Sequence, residues 1–444
     1  MLTSAFSRRA MGFFAAACFV SLTGCGTPAR VPVLAETGPH PVIPRPSISL
    51  LPVMKVVIAK GWTGDATPFA ASDLSVRPFA KDLHHPRWLY VLPNGDVLVS
   101  ETNAPKRPDD AKGVKGFFFR FFQTRAGGGV PSENRLILLR DSDGDGIADI
   151  RTVFLKGLHA PFGVTLVGSD LYVANTDGIV RYPYTPGATM ISAPGATLVP
   201  LPGGRLNHHW TKNVIASPDG TKLYAAVGSN SNAAENGIAH EYLRAAIWEI
   251  DRATGKHRIF ASGLRNPVGL AWQPDTKLLW AAVNERDELG ADLVPDYITS
   301  VRDGGFYGWP YTYYGKHVDN RVKPQRLDIV ARAIQPDYAL GSHTASLGLT
   351  WSGASAMPQR FRNGMFVGQH GSWNRKPFSG YRVVFVPFAG GRPSGQPIDV
   401  LTGFVNTRGE AMGRPVGVAV SRDGALLVAD DVGNAVWRVA EKNR

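Results

Sequence analysis

The sequence predicts an all-β protein, a six-bladed β-propeller of four-stranded antiparallel blades. Three observations carry that prediction. A unit made of an apolar strand, a turn containing Asp, Asn or Gly, and a second apolar strand recurs six times along the 444 residues. Successive copies lie 52 to 79 residues apart, which always leaves room for four strands. Apart from residues near 111–124, no stretch longer than about ten residues keeps a helical period. Four-stranded units repeated around an axis build a propeller, and six copies give six blades.

The copies run in order through residues 88–99, 162–173, 214–225 and 268–280, then 347–351 continuing into 364–368, and last 416–428. The first turns at Asn94-Gly95, the third at Asp219-Gly220 and the sixth at Asp423-Gly424. Asn and Gly suit the positive-φ positions of a tight hairpin, and the alternating flanks supply two half-buried strands. The strand-like stretch 74–80 is expected to join the last blade and close the ring. The long interval between the fourth and fifth copies leaves a seven-bladed alternative.

Composition sets the boundaries. A hydrophobic content of 44% with 10% aromatics excludes a disordered chain, and 49 Gly and 33 Pro spread along the length fit many turns. Two cysteines exclude a disulfide-built scaffold. Residues 1–24 read as an export signal: Arg8 and Arg9, an apolar run from Met11 to Leu22, then Leu22-Thr23-Gly24-Cys25. That last motif resembles a bacterial lipoprotein cleavage box, with Cys25 the lipidated residue; a membrane anchor ending in an incidental Cys is the alternative. Residues 25–54 read as a Pro-rich tether and residues 55–444 as the propeller. Gly26 after Cys25 points, by resemblance to Gram-negative lipoproteins, to the periplasmic face of the outer membrane. The net charge of +12 is scattered with no basic run, and an exported protein rarely meets nucleic acid, so no nucleic-acid partner is expected. Anionic lipid, cell-wall polymer or an acidic small molecule suits it better.

Beside each repeated hairpin stand His, Arg, Asn and Trp. Asn207-His208-His209-Trp210 precedes the third copy, and Gly263-Leu264-Arg265-Asn266-Pro267 the fourth. Asn284-Glu285-Arg286-Asp287-Glu288 follows the fourth, and His343-Thr344 and Gln369-His370-Gly371-Ser372-Trp373-Asn374-Arg375 flank the fifth. Gly413-Arg414-Pro415 precedes the sixth. Loops at one face of a propeller converge on the axis. Arginines gathered there around an imidazole make a site for a poly-anion with proton chemistry.

With residues 263–271, the motif Gly304-Gly305-Phe306-Tyr307-Gly308-Trp309-Pro310, residues 370–375 and residues 413–418, the chain resembles the soluble pyrroloquinoline quinone (PQQ)-dependent sugar dehydrogenases. Within them it is most similar to the sorbosone dehydrogenase-like branch, over roughly residues 70–440. The resemblance implies a six-bladed propeller, PQQ and calcium as cofactors, and oxidation of a sugar or sugar-derived aldehyde. It implies His209 as the general base, with His208 the fallback, and Arg265 and Asn266 at the quinone oxygens. Arg414 matches a carboxylate-binding arginine. PQQ has three carboxylates, which guanidinium forks fit.

Three departures stand out. A second arginine expected two residues after Arg414 is Val416. The family's cofactor-contacting lysine has no match, and His370 or Arg375 stands in. Asp287-Glu288 replaces a Gly-Pro, and either ligates calcium through carboxylates or forms a surface turn. Separately, Asp141, Asp143, Asp145 and Asp149 with Gly146 follow the first nine positions of an EF-hand-type loop, either a structural calcium loop or a polar turn. Phe117 to Phe122 among basic residues reads as a membrane contact or a packed lid. With no Cys-x-x-Cys-His haem motif, electrons would pass to a separate acceptor. The alternatives are a metal-dependent lactonase, which would need Glu, Asn and Asp converging on the axis in a set that Glu285 with Asn266 could begin, and a non-catalytic propeller binding cell-envelope glycan.

Overall fold

A computed structural model of the chain describes residues 27–48, 55–106, 124–353 and 357–442. Cys25, residues 49–54 of the expected tether and the Phe117–Phe122 cluster lie outside them. Six large antiparallel sheets follow one another around an axis. From the axis outward, the first blade is Pro86–Val91, Val97–Glu101, Arg135–Arg140 and Ile150–Leu155. The second begins with Val164–Val167, the third with Lys212–Ala216 and the fourth with Asn266–Trp272. Ser346–Trp351 and Pro415–Val420 open the fifth and sixth. Leu74–Ala80 pairs with Ala435–Glu441 as the outer strand of the sixth blade, so the ends of the propeller are stitched as the sequence implied. The seven-bladed alternative falls. The long interval is occupied by Pro295–Val301, by Gly305–Phe306 paired to the third blade, by a small ribbon, and by Tyr338–Ser342 on the fourth blade.

The repeat has a packing reason. Trp88, Phe162, Trp210, Val268, Leu347 and Val416, one from each blade, form a single buried cluster with Ala160. They plug the axis. In four blades a glycine follows the plug residue, and there the next inner strand presses in. A Cβ on Gly269 would meet Leu347 O and Leu349, and one on Gly348 would strike the Val416 carbonyl. A side chain cannot be accommodated at such a backbone contact without moving a strand. Val416 therefore serves the plug, which accounts for the absence of an arginine there.

Residues 27–48 depart from the tether reading. Thr37–Gly38 adds a strand to Tyr338–Ser342 of the fourth blade. Glu36, 2% exposed, pairs with Arg375 at 2.8 Å. Arg30 N–H donates to Asp292 and Gln396 donates to Leu34 O. The segment is part of the folded body. Its prolines leave few N–H groups to satisfy, which suits a chain laid along a blade edge.

Candidate active site

Strand register decides which residues share the axial face. At one end of the blades the start of the inner strand faces the end of the second: Pro86 opposite Glu101, Lys212 opposite Val227, Asn266 opposite Asn284, Ser346 opposite Gln369, and Pro415 opposite Asp430. His85, Arg87, His209, Ser229, Arg265, Asp287, His343, His370, Arg414 and Asp431 all flank these pairs. Residues more than 300 positions apart thus meet.

His209 is half-buried beside Asn266. A Cβ on Gly228 would clash with both His209 Cβ and Asn266 Oδ1, so the glycine lets them adjoin. His209 Nδ1 lies 2.9 Å from the Ser229 carbonyl oxygen and 2.9 Å from Ser229 Oγ. A carbonyl only accepts, so Nδ1 carries the ring proton and Nε2 is the basic nitrogen. His208 packs edge-on against it with ring centroids 4.8 Å apart. Asn266 is 6% exposed and its Oδ1 has no hydrogen-bond partner. Beneath lies Lys212, fully buried, with Nζ 3.1 Å from His209 O and 3.3 Å from Trp210 O. Burial, with Arg244 nearby, pushes its pKa well down.

Across the axis Asp431 is a hub. Its Oδ2 accepts from Arg87 Nη1 at 2.6 Å and lies 2.9 Å from His370 Nε2 and 3.7 Å from His85 Nε2. Burial alone would raise this carboxyl, but His370, His85 and Arg87 outweigh it and hold it far below the usual range. Arg414, 4% exposed, lies over the Tyr381 ring with its Nε and Nη2 unpartnered, and Arg87 Nε is unpartnered too. Arg87 in turn covers the Trp210 ring at 5.8 Å, next to His209. An unpartnered buried guanidinium N–H is costly, and its natural remedy is an anion.

The other predicted residues are placed differently. Arg265, 2% exposed, spends its donors on Asn232 O at 3.1 Å, Asn232 Oδ1 at 3.0 Å and Glu285 O at 2.8 Å. It ties a loop of the third blade to a loop of the fourth. Arg375 is committed to Glu36 and to Ala291 O at 3.0 Å, away from the axial cluster; of the two lysine stand-ins only His370 reaches that cluster. Asp287 Oδ1 accepts from Asn374 at 2.8 Å and lies 3.1 Å from His343 Nδ1. Burial raises its pKa, yet His343, Arg265 and Asn374 outweigh that and hold it down to about 2. Its Oδ2 is left 4.0 Å from Arg265 Nη2. Glu288 is half-exposed and sits 3.9 Å from Arg321. Of the expected Asp287–Glu288 pair, Asp287 is thus committed to His343 and Asn374, while Glu288 lies toward Arg321. In the outer loop of the first blade Asp141, Asp143 and Asp149 come together. Asp145 instead turns its Oδ1 to the Ile147 N–H. The loop sits at the end of the blade where Arg140 faces Ile150, opposite the axial cluster.

His85, Arg87, Ser229 and Asp431 were not singled out by the sequence reading. The repeat carried a signal for the first pair, because they lie within four residues before Trp88, as His343 and Arg414 lie within four residues before the fifth and sixth copies. His85 also makes a testable contribution to stability. Burial, opposed by Asp431 and reinforced by Arg87 and His370, lowers its pKa from 6.5 to about 4. As pH falls through that window the unfolded chain takes the proton first, so stability drops. His85→Gln should lose about 3 kcal/mol less than the parent between pH 7 and pH 4. Urea denaturation at the two pH values measures it; an unchanged pH dependence would contradict the burial of a neutral imidazole.

Fold and site together define a six-bladed propeller with a cluster of arginines and histidines at its axial face. Residues 135–298 and 325–442, well over half of the chain, match the TrAA12-like family model, and the chain belongs to that family. Residues 248–372 also match the Glucose / Sorbosone dehydrogenase model, in agreement with the resemblance drawn from the sequence. An uncharacterised protein of Borreliella burgdorferi is 29% identical over 299 residues, covering 64% of this chain and 76% of that protein. Among solved structures, a calcium structure of the Trichoderma reesei carbohydrate-active enzyme family AA12 superposes with a TM-score of 0.68 at 16% identity. It covers 86% of this chain and 100% of that one. The holo form of the pyranose dehydrogenase PQQ domain from Coprinopsis cinerea gives 0.68 at 21% identity, covering 87% and 100%. Both share the fold.

Proposed function

We propose that this protein is a PQQ-dependent dehydrogenase that oxidises a sugar or a sugar-derived aldehyde hydrate, with calcium as a second cofactor. The observation that carries the reading is the set of unpartnered polar atoms at the axial face: Arg414 Nε and Nη2, Arg87 Nε, and Asn266 Oδ1. Two buried guanidinium groups fit the carboxylates of PQQ, and the aromatic plug of Trp88, Phe162 and Trp210 gives a ring system an apolar floor. When bound, PQQ supplies the quinone that takes a hydride from the substrate carbon. His209 Nε2 takes the hydroxyl proton, with Ser229 holding the imidazole in that tautomer. Arg87 and Arg414 hold carboxylates, His370 is steadied by Asp431, and Arg265 keeps the Asn232 and Glu285 loops in place. Asp287 would offer calcium its Oδ2, which lies 4.0 Å from Arg265 Nη2. Electrons pass to a separate acceptor.

The lactonase alternative loses ground because Glu285 Oε2 accepts from both Arg286 N and Arg286 Nε at 3.0 Å. The glycan-binding alternative requires no histidine with a fixed tautomer and leaves the buried arginines without a purpose. Lipidation at Cys25 and a place on the periplasmic face of the outer membrane complete the proposal. Among the described residues no helix is long and apolar enough to cross a membrane.

The test is reconstitution of residues 27–444 with PQQ and excess calcium, following dye reduction with aldoses and sorbosone. PQQ-dependent reduction with at least one of these substrates is expected. Lactone hydrolysis without PQQ, and no dye reduction, would overturn the reading.

A further inference from the structure

We infer that the turn at residues 238–244 of the third blade is a clamp that fixes the tautomer and orientation of His209, with Glu241 as its central positioning residue. The inference rests on the proposed role of His209. Ser229 Oγ donates its own proton to Ser231 O at 2.7 Å, so toward His209 Nδ1 it acts as an acceptor, like the Ser229 carbonyl. The position of Ser229 therefore decides which ring nitrogen is basic. Glu241 holds the neighbours of Ser229: its Oε2 accepts the Asn230 N–H at 2.7 Å, and its Oε1 accepts the Ser231 hydroxyl in a short bond. The carboxylate is only 8% exposed, so these bonds are made out of water.

Three residues on, Arg244 grips the other approach. It is 8% exposed and donates to Gly203 O at 2.8 Å, Leu206 O at 3.2 Å and Asn207 Oδ1 at 3.0 Å, in the chain that leads into His208 and His209. Asn207 Nδ2 passes the restraint to Thr176 of the second blade at 2.8 Å. One short turn thus holds the loops on both sides of the imidazole. A carboxylate is required at 241 because two donors converge on it. An amide offers one acceptor oxygen and would aim N–H at a donor.

The experiment is Glu241→Gln in protein with ¹⁵N-labelled histidine, read without and with PQQ. In the parent, NMR should show the Nδ1–H form of His209, assigned by its loss in His209→Ala. In Glu241→Gln that form should give way to a mixture of tautomers. In the PQQ-loaded protein kcat should fall by about 100-fold, as a small misplacement of a reacting group does, with KM little changed. A folded Glu241→Gln protein with the parent's tautomer and kcat would overturn the clamp. If that variant does not fold, Ser231→Ala removes a single donor and should still lower kcat about tenfold, and parental kcat and tautomer there would overturn the clamp equally. Full turnover in His209→Ala would count against the proposed base, while the tautomer readout would still decide the clamp.

Discussion

Replacing His209 by alanine should lower kcat of the PQQ-loaded protein by about 100- to 10,000-fold, the usual contribution of a positioned general base. The loss should fall on kcat and kcat/KM together, because the imidazole acts on a proton that moves only as the reaction proceeds. Three features single out this histidine. It adjoins Asn266, whose oxygen is unpartnered, its Nδ1 is committed to Ser229, and Arg87 lies over the indole of the next residue. His370 is the natural competitor, being tied to Asp431 in a carboxylate–imidazole pair. Burial lowers the His370 pKa, opposed by Asp431, and Arg414 and Arg87 lower it further. A group so surrounded by guanidinium is better suited to steady an anion's neighbours than to take up a proton. Steady-state kinetics on both alanine variants separates them. A His209→Ala enzyme with parental kcat and a His370→Ala enzyme without activity would reverse the assignment.

The second large effect is on stability. Deleting residues 27–48, or changing Glu36 to Ala, should cost about 3–5 kcal/mol, because it leaves Arg375 as a buried guanidinium without its partner. Arg375 is 2% exposed, and after the loss its nearest carboxylate is Asp292 at 3.9 Å. Removal of the whole segment also exposes the edge of Tyr338–Ser342. Replacing Glu36 and Arg375 together by Met should recover most of the loss, since an apolar pair needs no counter-charge. Denaturant melts of the four proteins decide this. A chain starting near residue 50 that is as stable as one starting at residue 27 would show that the segment is an ornament.

The fold was legible because propeller packing writes itself into most of the copies. A plug residue, a glycine at the closest backbone approach and a hairpin with Gly or Asn at its turn recur for reasons of space, and Val416-Gly417-Val418 reads the same as Phe162-Gly163-Val164. The site was legible in part. His209, Asn266, His370 and Arg414 stand at the blade offsets where register brings loops to the axis. What could not be read was which charged groups spend themselves on the protein. Arg265 and Arg375 look in sequence like Arg414, yet one is spent on backbone carbonyls and the other on Glu36. That distinction lies in contacts that only the fold sets, with Asn232 and Glu285 for Arg265 and with Glu36, more than 300 positions away, for Arg375. The same holds for Asp287, whose commitment to His343 and Asn374 across two blades no spacing rule reveals. The Pro-rich stretch misled for a related reason: proline content reports how the backbone bonds and not whether it lies on a surface.

On the proposed reading, the buried guanidinium nitrogens left without a partner at the axis, Arg414 Nε and Nη2 and Arg87 Nε, await the carboxylates of PQQ. Calorimetric titration of PQQ into the calcium-loaded protein, beside Arg87→Ala and Arg414→Ala, tests it most directly. Saturable one-to-one binding is predicted in the parent, weakened by about 2–5 kcal/mol in each variant, the cost of removing one partner of a buried charge pair. Binding of equal strength in all three proteins, or none in the parent, would contradict the account.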